Sequence, residues 1–256
     1  MIGIPLKDWD ISINYGIKTG FNDAFIIDEA KRNEILAGCK TDDERKRTVE
    51  LIRPILRGRD IKRYAYSWAG LYLIATHNGI PEKGIPRVEI TKYPAVKKHL
   101  DFHWPKIKAR ADQGDTPYNL RSCAYMDDFS KPKIVWGNLA LAAQFSAAPA
   151  GMFINAPCPM IVPFDGYLLA ILNSKLGDWY IRHLGVTRNG GYFEYKPMFI
   201  EQLPVPETQS NTAERLSILA KDPTVEGQAE IDQIVFELFH LTRAEIDCLE
   251  TQSLRG

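Results

Sequence analysis

The chain has 256 residues, 45% of them apolar and 25% charged, with 18 Gly and 16 Pro, a balance that excludes collagen-like, disordered and disulfide-scaffold chains. Its longest apolar runs, at 71–75 and 166–172, fall far short of the roughly 18 residues a transmembrane helix needs, and the start lacks a signal-peptide pattern, so no membrane contact is expected. Lys+Arg and Asp+Glu are both 32, yet residues 1–110 carry 21 basic and 14 acidic side chains while residues 201–256 carry 4 and 11. A basic front and an acidic tail suit a face that meets a polyanion, although a solvated helix surface also produces basic runs.

In chain order, Trp9 to Ile17 alternates apolar and polar residues and Ala24 to Ile27 is apolar throughout. The Gly-bounded stretch between them predicts a hairpin with Lys18 and Thr19 at its tip. Asp28 caps a helix that ends near Gly38. Thr41 to Glu44 opens another that stops before Pro54, with Val49 and Ile52 facing inward. A strand over Leu71 to Thr76 is followed by helical residues from Tyr93 to Arg110, broken at Pro105. Further strands are expected at Lys133 to Trp136, Gln144 to Ser146, Met152 to Ile154 and Met160 to Val162. Asp165 starts a helix that Asn173-Ser174 interrupts and Gly185 ends, and a Gly-rich loop leads into the Tyr192 to Tyr195 stretch. The two prolines of QLPVPET (202–208) mark a boundary. Beyond it, Ala229 to Phe239 repeats apolar residues with helical period, and Thr242 to Glu245 caps a last helix.

Nucleotide loops of the GxGxxG and P-loop types and a GxSxG nucleophile elbow are absent. Cys39, Cys123, Cys158 and Cys248 are far apart with no CxxC pair, which predicts a reduced, cytoplasmic setting. His99 and His103 share a helical face without the Glu of a zinc-protease motif, so no metal site is expected. Glu194-Tyr195-Lys196 has the acid-x-Lys form of a metal nuclease, with Asp165 or Asp178 as the second acid; a charged pair flanking a strand is the plainer reading. Leu56 to Tyr64 (LRGRDIKRY) gathers four cations in seven residues around one Asp. Arg57, Arg59 and Arg63 are placed to reach phosphates, the alternative being that Asp60 pairs with Arg57 or Arg59. Arg121, Lys133 and the Arg188-Asn189 loop add further cationic or amide groups, and Arg and Asn are the side chains that read guanine and adenine edges.

Taken in order, GIKTGFNDAFIID, LRGRDIKRY, FSKPKIVWGN, LLAILNSKLGDWYI, GGYFEYKPMFIEQLPVP and IDQIVFELFHLTRAEIDCLE resemble the TaqI-like C-terminal specificity domain of adenine-specific DNA methyltransferases and type IIG restriction-modification enzymes. The LNS helix and the QLPVP segment are also similar to target recognition domains of type I specificity subunits. The resemblance implies a module that binds double-stranded DNA and accompanies a methyltransferase domain or subunit. The Gly-rich loop for S-adenosylmethionine and the Asn-Pro-Pro-Tyr motif that holds a flipped adenine are not written here. The expectation is therefore an excised domain or a separate subunit without catalytic residues or a cofactor of its own.

The expected fold is α+β, a twisted mixed or antiparallel sheet flanked by helices. Residues 1–205 would form the recognition domain and 206–256 a helical segment packed on it or on a partner. Lys18, Thr19, Arg57, Arg59, Arg63, Arg121, Lys133, Arg188 and Asn189 are the predicted DNA contacts. A metal nuclease and a protein-interaction scaffold are the alternatives.

Overall fold

Lys133–Trp136 is apolar at three of its four positions, and the computed structural model, which describes residues 2–253, buries all four. The strand is central in an antiparallel sheet of β1 (Ser12–Tyr15), β8 (Pro159–Val162), β5 (Lys133–Trp136) and β6 (Phe145–Ala148), in that order. A second sheet runs β2 (Ile26–Asp28), β4 (Leu71–Ile74), β3 (Ile52–Leu56), β7 (Phe153–Ile154). Its pairs are antiparallel except β3 with β7. Together with the helices below, this is the α+β architecture expected.

The first sheet is a wall between two apolar cores. Successive side chains of a strand point to opposite faces, so Val135, Met160 and Val162 join the core shared with the second sheet. Ile134, Trp136 and Ile161 face the other core, where Ile13, Ile161 and Ile134 stand in register across three strands. Burial on both faces is why these strands read as unbroken apolar runs.

Four helices cover the first core: α1 (Glu29–Ala37), α2 (Asp42–Leu51), α3 (Pro94–Phe102) and α4 (Trp104–Ala109). The second core is built by α5 (Gly166–Asn173), α6 (Lys175–Leu184), α7 (Ser210–Leu219), α8 (Val225–Leu238) and α9 (Arg243–Ser253). The expected caps are made. Asp28 accepts from the Lys31 N–H at 2.8 Å, Thr41 from Glu44 at 3.1 Å and Asp165 from Leu168 at 3.1 Å. Glu44, however, turns away from Thr41 and accepts from the Lys40 and Ala95 amides at 2.9 and 3.0 Å, tying α2 to the start of α3.

Asn173-Ser174 does more than interrupt a helix. The buried Asn173 amide accepts from the Phe145 N–H at 3.0 Å and donates to its carbonyl at 2.9 Å, closing the edge of β6 as a neighbouring strand would. Ser174 then caps α6 by accepting from Gly177 at 3.0 Å.

Three sequence expectations need correction. Trp9 to Ile17 and Ala24 to Ile27 form no hairpin, because β1 and β2 lie in different sheets. After Tyr15 the chain crosses beside β7, Gly16 donating to the Cys158 carbonyl and Ile17 to that of Ile154 at 2.8 and 2.7 Å. A Cβ on Gly16 would stand 2.3 Å from the Ile154 oxygen. Ala24 and Phe25 of the expected strand belong instead to a single helical turn, Asn22–Phe25, while Ile26 and Ile27 are in β2. On α2, Val49 is 41% exposed and Thr48 and Leu51 face the core; Ile52 is buried, but already in β3.

The tail packs on the preceding residues. Leu216, Ile231, Val235, Phe236 and Leu249 enter the same core as α5 and Trp136. α7 approaches α5 so closely that a Cβ on Gly166 would meet the Ser217 side chain at 2.8 Å. Ile4–Pro5, ahead of β1, pairs antiparallel with Pro204–Val205, which ties this short segment to QLPVP.

Candidate nucleic-acid interface

The LRGRDIKRY segment leaves β3 through a short 3-10 turn, Gly58–Asp60. Asp60 is buried and accepts from one edge of the Arg57 guanidinium, Nε at 3.0 Å and Nη2 at 2.8 Å, as well as from the Arg57 N–H at 2.9 Å. The bidentate pair holds the turn, so Arg57 belongs to the loop's own structure. It leaves Arg59 and Lys62 exposed. Arg63 points elsewhere: it donates to the Asn173 carbonyl, lies 5.5 Å from the Tyr64 ring centre and lines a separate recess with Lys175, Lys221 and Asp232.

Arg59 and Lys62 line a cleft of about 600 Å³. Asn138, Leu139, Leu141, Gln144, Tyr192 and residues 155–158 line it with them. A second recess, of about 450 Å³, shares Ala156 and Pro157 with the first and is lined by Lys18, Arg121 and Tyr125. Asp112 lies between its two cations, 3.1 Å from Lys18 and 3.4 Å from Arg121. Lys18, with Arg121 behind it, holds the Asp112 carboxyl below the usual carboxylate range. Both cations keep more than half of their side-chain surface exposed, 62% and 64%.

Arg188 and Asn189 lie at the turn of a hairpin. Thr187 bridges Phe193, and Arg188 donates its N–H to the Tyr192 carbonyl at 2.7 Å. Gly190 and Gly191 both take positive φ, 79° and 78°, which the tight turn needs and an L side chain resists. Arg188 Nε donates to the buried Glu194 at 2.6 Å, Nη2 also pairs with that carboxylate, and Lys196 approaches its other oxygen at 2.7 Å. These two cations, Lys196 foremost, keep Glu194 below the ordinary carboxylate range. The Asn189 side chain is exposed.

Two predicted contacts are interior. Thr19 is 2% exposed, donating to Asn22 at 2.6 Å and accepting from the Phe21 N–H. Lys133 is fully buried, its ammonium donating to the carbonyls of Phe129, Pro149 and Met152 at 3.0, 3.2 and 3.2 Å. A Lys within an apolar strand looked like a surface charge in the sequence because nothing local shows the carbonyls that converge on it. Lys62, Asn138, Gln144 and Tyr192 were missed as cleft residues. Lys62 was visible in the LRGRDIKRY run, whereas the others are gathered only by the tertiary fold.

The carboxylates of the nuclease reading are otherwise engaged: Asp165 caps α5, and Asp178 accepts from the Ala143 N–H and the Tyr195 hydroxyl. His99 faces the Ala24 carbonyl at 2.9 Å, and burial pulls its pKa down. Among the described residues no group of three or more His, Cys, Asp or Glu is placed to hold a metal ion.

The sequence profile of the TaqI-like C-terminal specificity domain matches residues 53–205, more than half of the chain. The chain belongs to this family. The match takes in Arg59 and Lys62, residues 138–144 and the Arg188 hairpin, but not Lys18. The specificity domain is 20% identical over 255 residues to the type II methyltransferase M.BstVI of Geobacillus stearothermophilus, covering 96% of this chain and 42% of that protein. Its fold is similar to part of the type IIL restriction-modification enzyme MmeI, whose structure was solved in complex with DNA (TM-score 0.70, 10% identity, 94% of this chain and 35% of MmeI). The type IIG restriction endonuclease BpuSI is a second structural relative, with TM-score 0.55, 13% identity, and coverage of 92% of this chain and 31% of BpuSI. The chain thus spans about two fifths or less of the length of each of these proteins.

Proposed function

We propose that this specificity domain reads double-stranded DNA across the Arg59–Tyr192 cleft and positions an adenine-N6 methyltransferase domain, in the same polypeptide or a separate subunit, on its target. The observation that carries the reading is the composition of the cleft: Arg59 and Lys62 line it together with the amides of Asn138, Gln144 and Asn155 and an exposed ribbon, and the adjoining recess adds Lys18 and Arg121. Phosphate contacts from Arg59, Lys62, Lys18 and Arg121 would fix register, and the amides and ribbon side chains would meet base edges. Arg188 suits base reading, because Glu194 anchors its Nε and Nη2 while 54% of its side-chain surface stays exposed. S-adenosylmethionine and the pocket for a flipped adenine belong, in this reading, to the catalytic domain. A cytoplasmic location is part of the same proposal.

The test is duplex binding by the chain, followed by fluorescence anisotropy over a salt series. Binding whose affinity falls linearly in log–log form with salt is expected. Absence of duplex binding at low salt discards the proposal, and Mg²⁺-dependent cleavage by the chain alone would put the nuclease reading in its place.

A further inference from the structure

Four large apolar side chains stand out of one small surface: Leu139 is 51% exposed, Leu141 50%, Val186 48% and Tyr192 43%. They belong to one ribbon. Leu139–Ala140 pairs antiparallel with Phe193–Glu194, whose strand continues the Arg188 hairpin through the Thr187–Phe193 bridge. Leu139 is in register with Glu194, and the Glu194 N–H donates to the Val186 carbonyl at 3.2 Å. Leu141 and Tyr192, just outside the paired residues, line the same cleft as Leu139. The opposite face is spoken for, since Ala140 and Phe193 pack on the second core.

Apolar side chains grouped in this way mark a contact surface. What covers them must also suit the cleft they line, because Leu139, Leu141 and Tyr192 share it with Arg59 and Lys62. The occupant therefore carries both negative charge and apolar groups. The DNA major groove has both: phosphates along its edges and thymine methyl groups in its floor, in a width that admits a two-stranded ribbon. The amides of Asn138, Gln144 and Asn155 in the same cleft are of the kind that reads base edges, which favours DNA over a protein partner.

We infer that Leu139 and Leu141 read thymine through its 5-methyl group, which makes this ribbon a sequence-determining element of the domain. The inference rests on the DNA-reading function proposed above. It is tested with the full chain on its preferred duplex, found by selection from a random library, in which thymines are replaced one at a time by deoxyuracil. Loss of a methyl contact at one or two positions is expected to weaken wild-type binding about fourfold each, the value of one buried carbon. Leu139→Ala and Leu141→Ala, both at exposed positions, should each erase the effect at one position while salt dependence and melting temperature stay unchanged.

Equal wild-type affinity for all thymine and deoxyuracil duplexes overturns the inference, as does a methyl effect that survives both substitutions. Equal weakening on thymine and deoxyuracil duplexes by the Ala variants also overturns it, and points to the ribbon as a support or a protein-docking surface. Failure to bind any duplex removes the proposed function itself, so the two failures are distinct.

Discussion

Arg110 and Lys133 lie inside the first core, whereas Arg59 and Lys62 stand at the mouth of the cleft, and the four differ in neighbours more than in chemistry. Arg110 donates to the carbonyls of Thr19, Asp112, Pro117 and Asn119 and sits 4.4 Å from the Phe25 ring centre. Burial draws its pKa down to about 10, and that of Lys133 to about 8. Both cations donate to main-chain oxygens of irregular segments, an alternative to secondary structure for buried carbonyls. Among the described residues the exposed Arg59 and Lys62 side chains make no hydrogen bond or ion pair, which suits a side chain that is to meet a phosphate. The difference teaches that the basic side chains of this sequence include two populations. One builds the loops, and the other is presented by them: Arg110 fixes Thr19 and Asp112, which flank or pair with Lys18 and Arg121.

Arg110→Met tests the first population and has the largest expected effect. It removes the guanidinium from four carbonyls, of which that of Asn119 keeps the Gly114 N–H, and the loss should reach about 3–5 kcal/mol, seen as a drop of roughly 10 °C in melting temperature for a chain of this size. An unchanged melting temperature would break the comparison. Lys133→Met keeps most of the volume and removes the donor to the Met152 carbonyl, while those of Phe129 and Pro149 keep the Gly151 and Met152 N–H groups, so about 1–3 kcal/mol is expected. Its pH dependence is diagnostic. The folded pKa is lowered, so between about 8 and 10.5 the unfolded chain binds the proton and the folded chain does not, and wild-type stability gains with pH there. The gap between wild type and Lys133→Met should therefore widen from pH 8 towards 10.5, and a constant gap would show that the ammonium is not desolvated.

The helices were legible because their caps are local: Asp28, Thr41, Asp165 and Thr242 act on amides three residues away. The strands were legible as apolar runs, but not their partners, since nothing in Trp9 to Ile27 tells that β1 and β2 join different sheets. The candidate site was half legible. Arg59 lay in a conspicuous basic run, and Arg188-Asn189 lay in a Gly-rich turn. Lys133 and Thr19 misled because their burial depends on segments up to 19 and 91 residues away, at Met152 and at Arg110. Asn138 and Tyr192 lie in family segments that give no hint of a shared site, and the pairing of Leu139–Ala140 with Phe193–Glu194 is what brings their strands together.

The second population is tested without loss of fold. Arg59→Ala combined with Lys62→Ala should leave stability within about 0.5 kcal/mol and reduce the salt slope of duplex binding by up to about two units. Arg57→Ala sharpens the contrast from four residues away. It leaves Asp60 buried without its bidentate partner, so the melting temperature should fall by an amount equivalent to about 1–3 kcal/mol. Should Arg57→Ala instead flatten the slope at unchanged stability, the division between loop-building and DNA-facing arginines in this segment would be reversed.

The smallest expected effect concerns the one buried acid of the acidic tail that faces a recess. Asp232, 4% exposed on α8, accepts from the Lys175 N–H at 2.8 Å and from the Gln228 amide at 3.2 Å. Burial raises its pKa, against the opposing pull of those two hydrogen bonds and of Lys175 and Arg63. A raised carboxyl pKa contributes stability below the unfolded value, and the contribution is lost as pH rises through the folded value. At neutral pH the charged form is thus a cost. Asp232→Asn keeps an oxygen for both donors and removes the charge, so it should match wild type near pH 3 and exceed it, by about 1 kcal/mol or less, at pH 7. Thermal melts at the two pH values decide it. A less stable Asp232→Asn at pH 7 would mean that Arg63 and Lys175 need the carboxylate as a counter-ion, which would make the tail's recess an electrostatic support of the same kind as the Arg57–Asp60 turn.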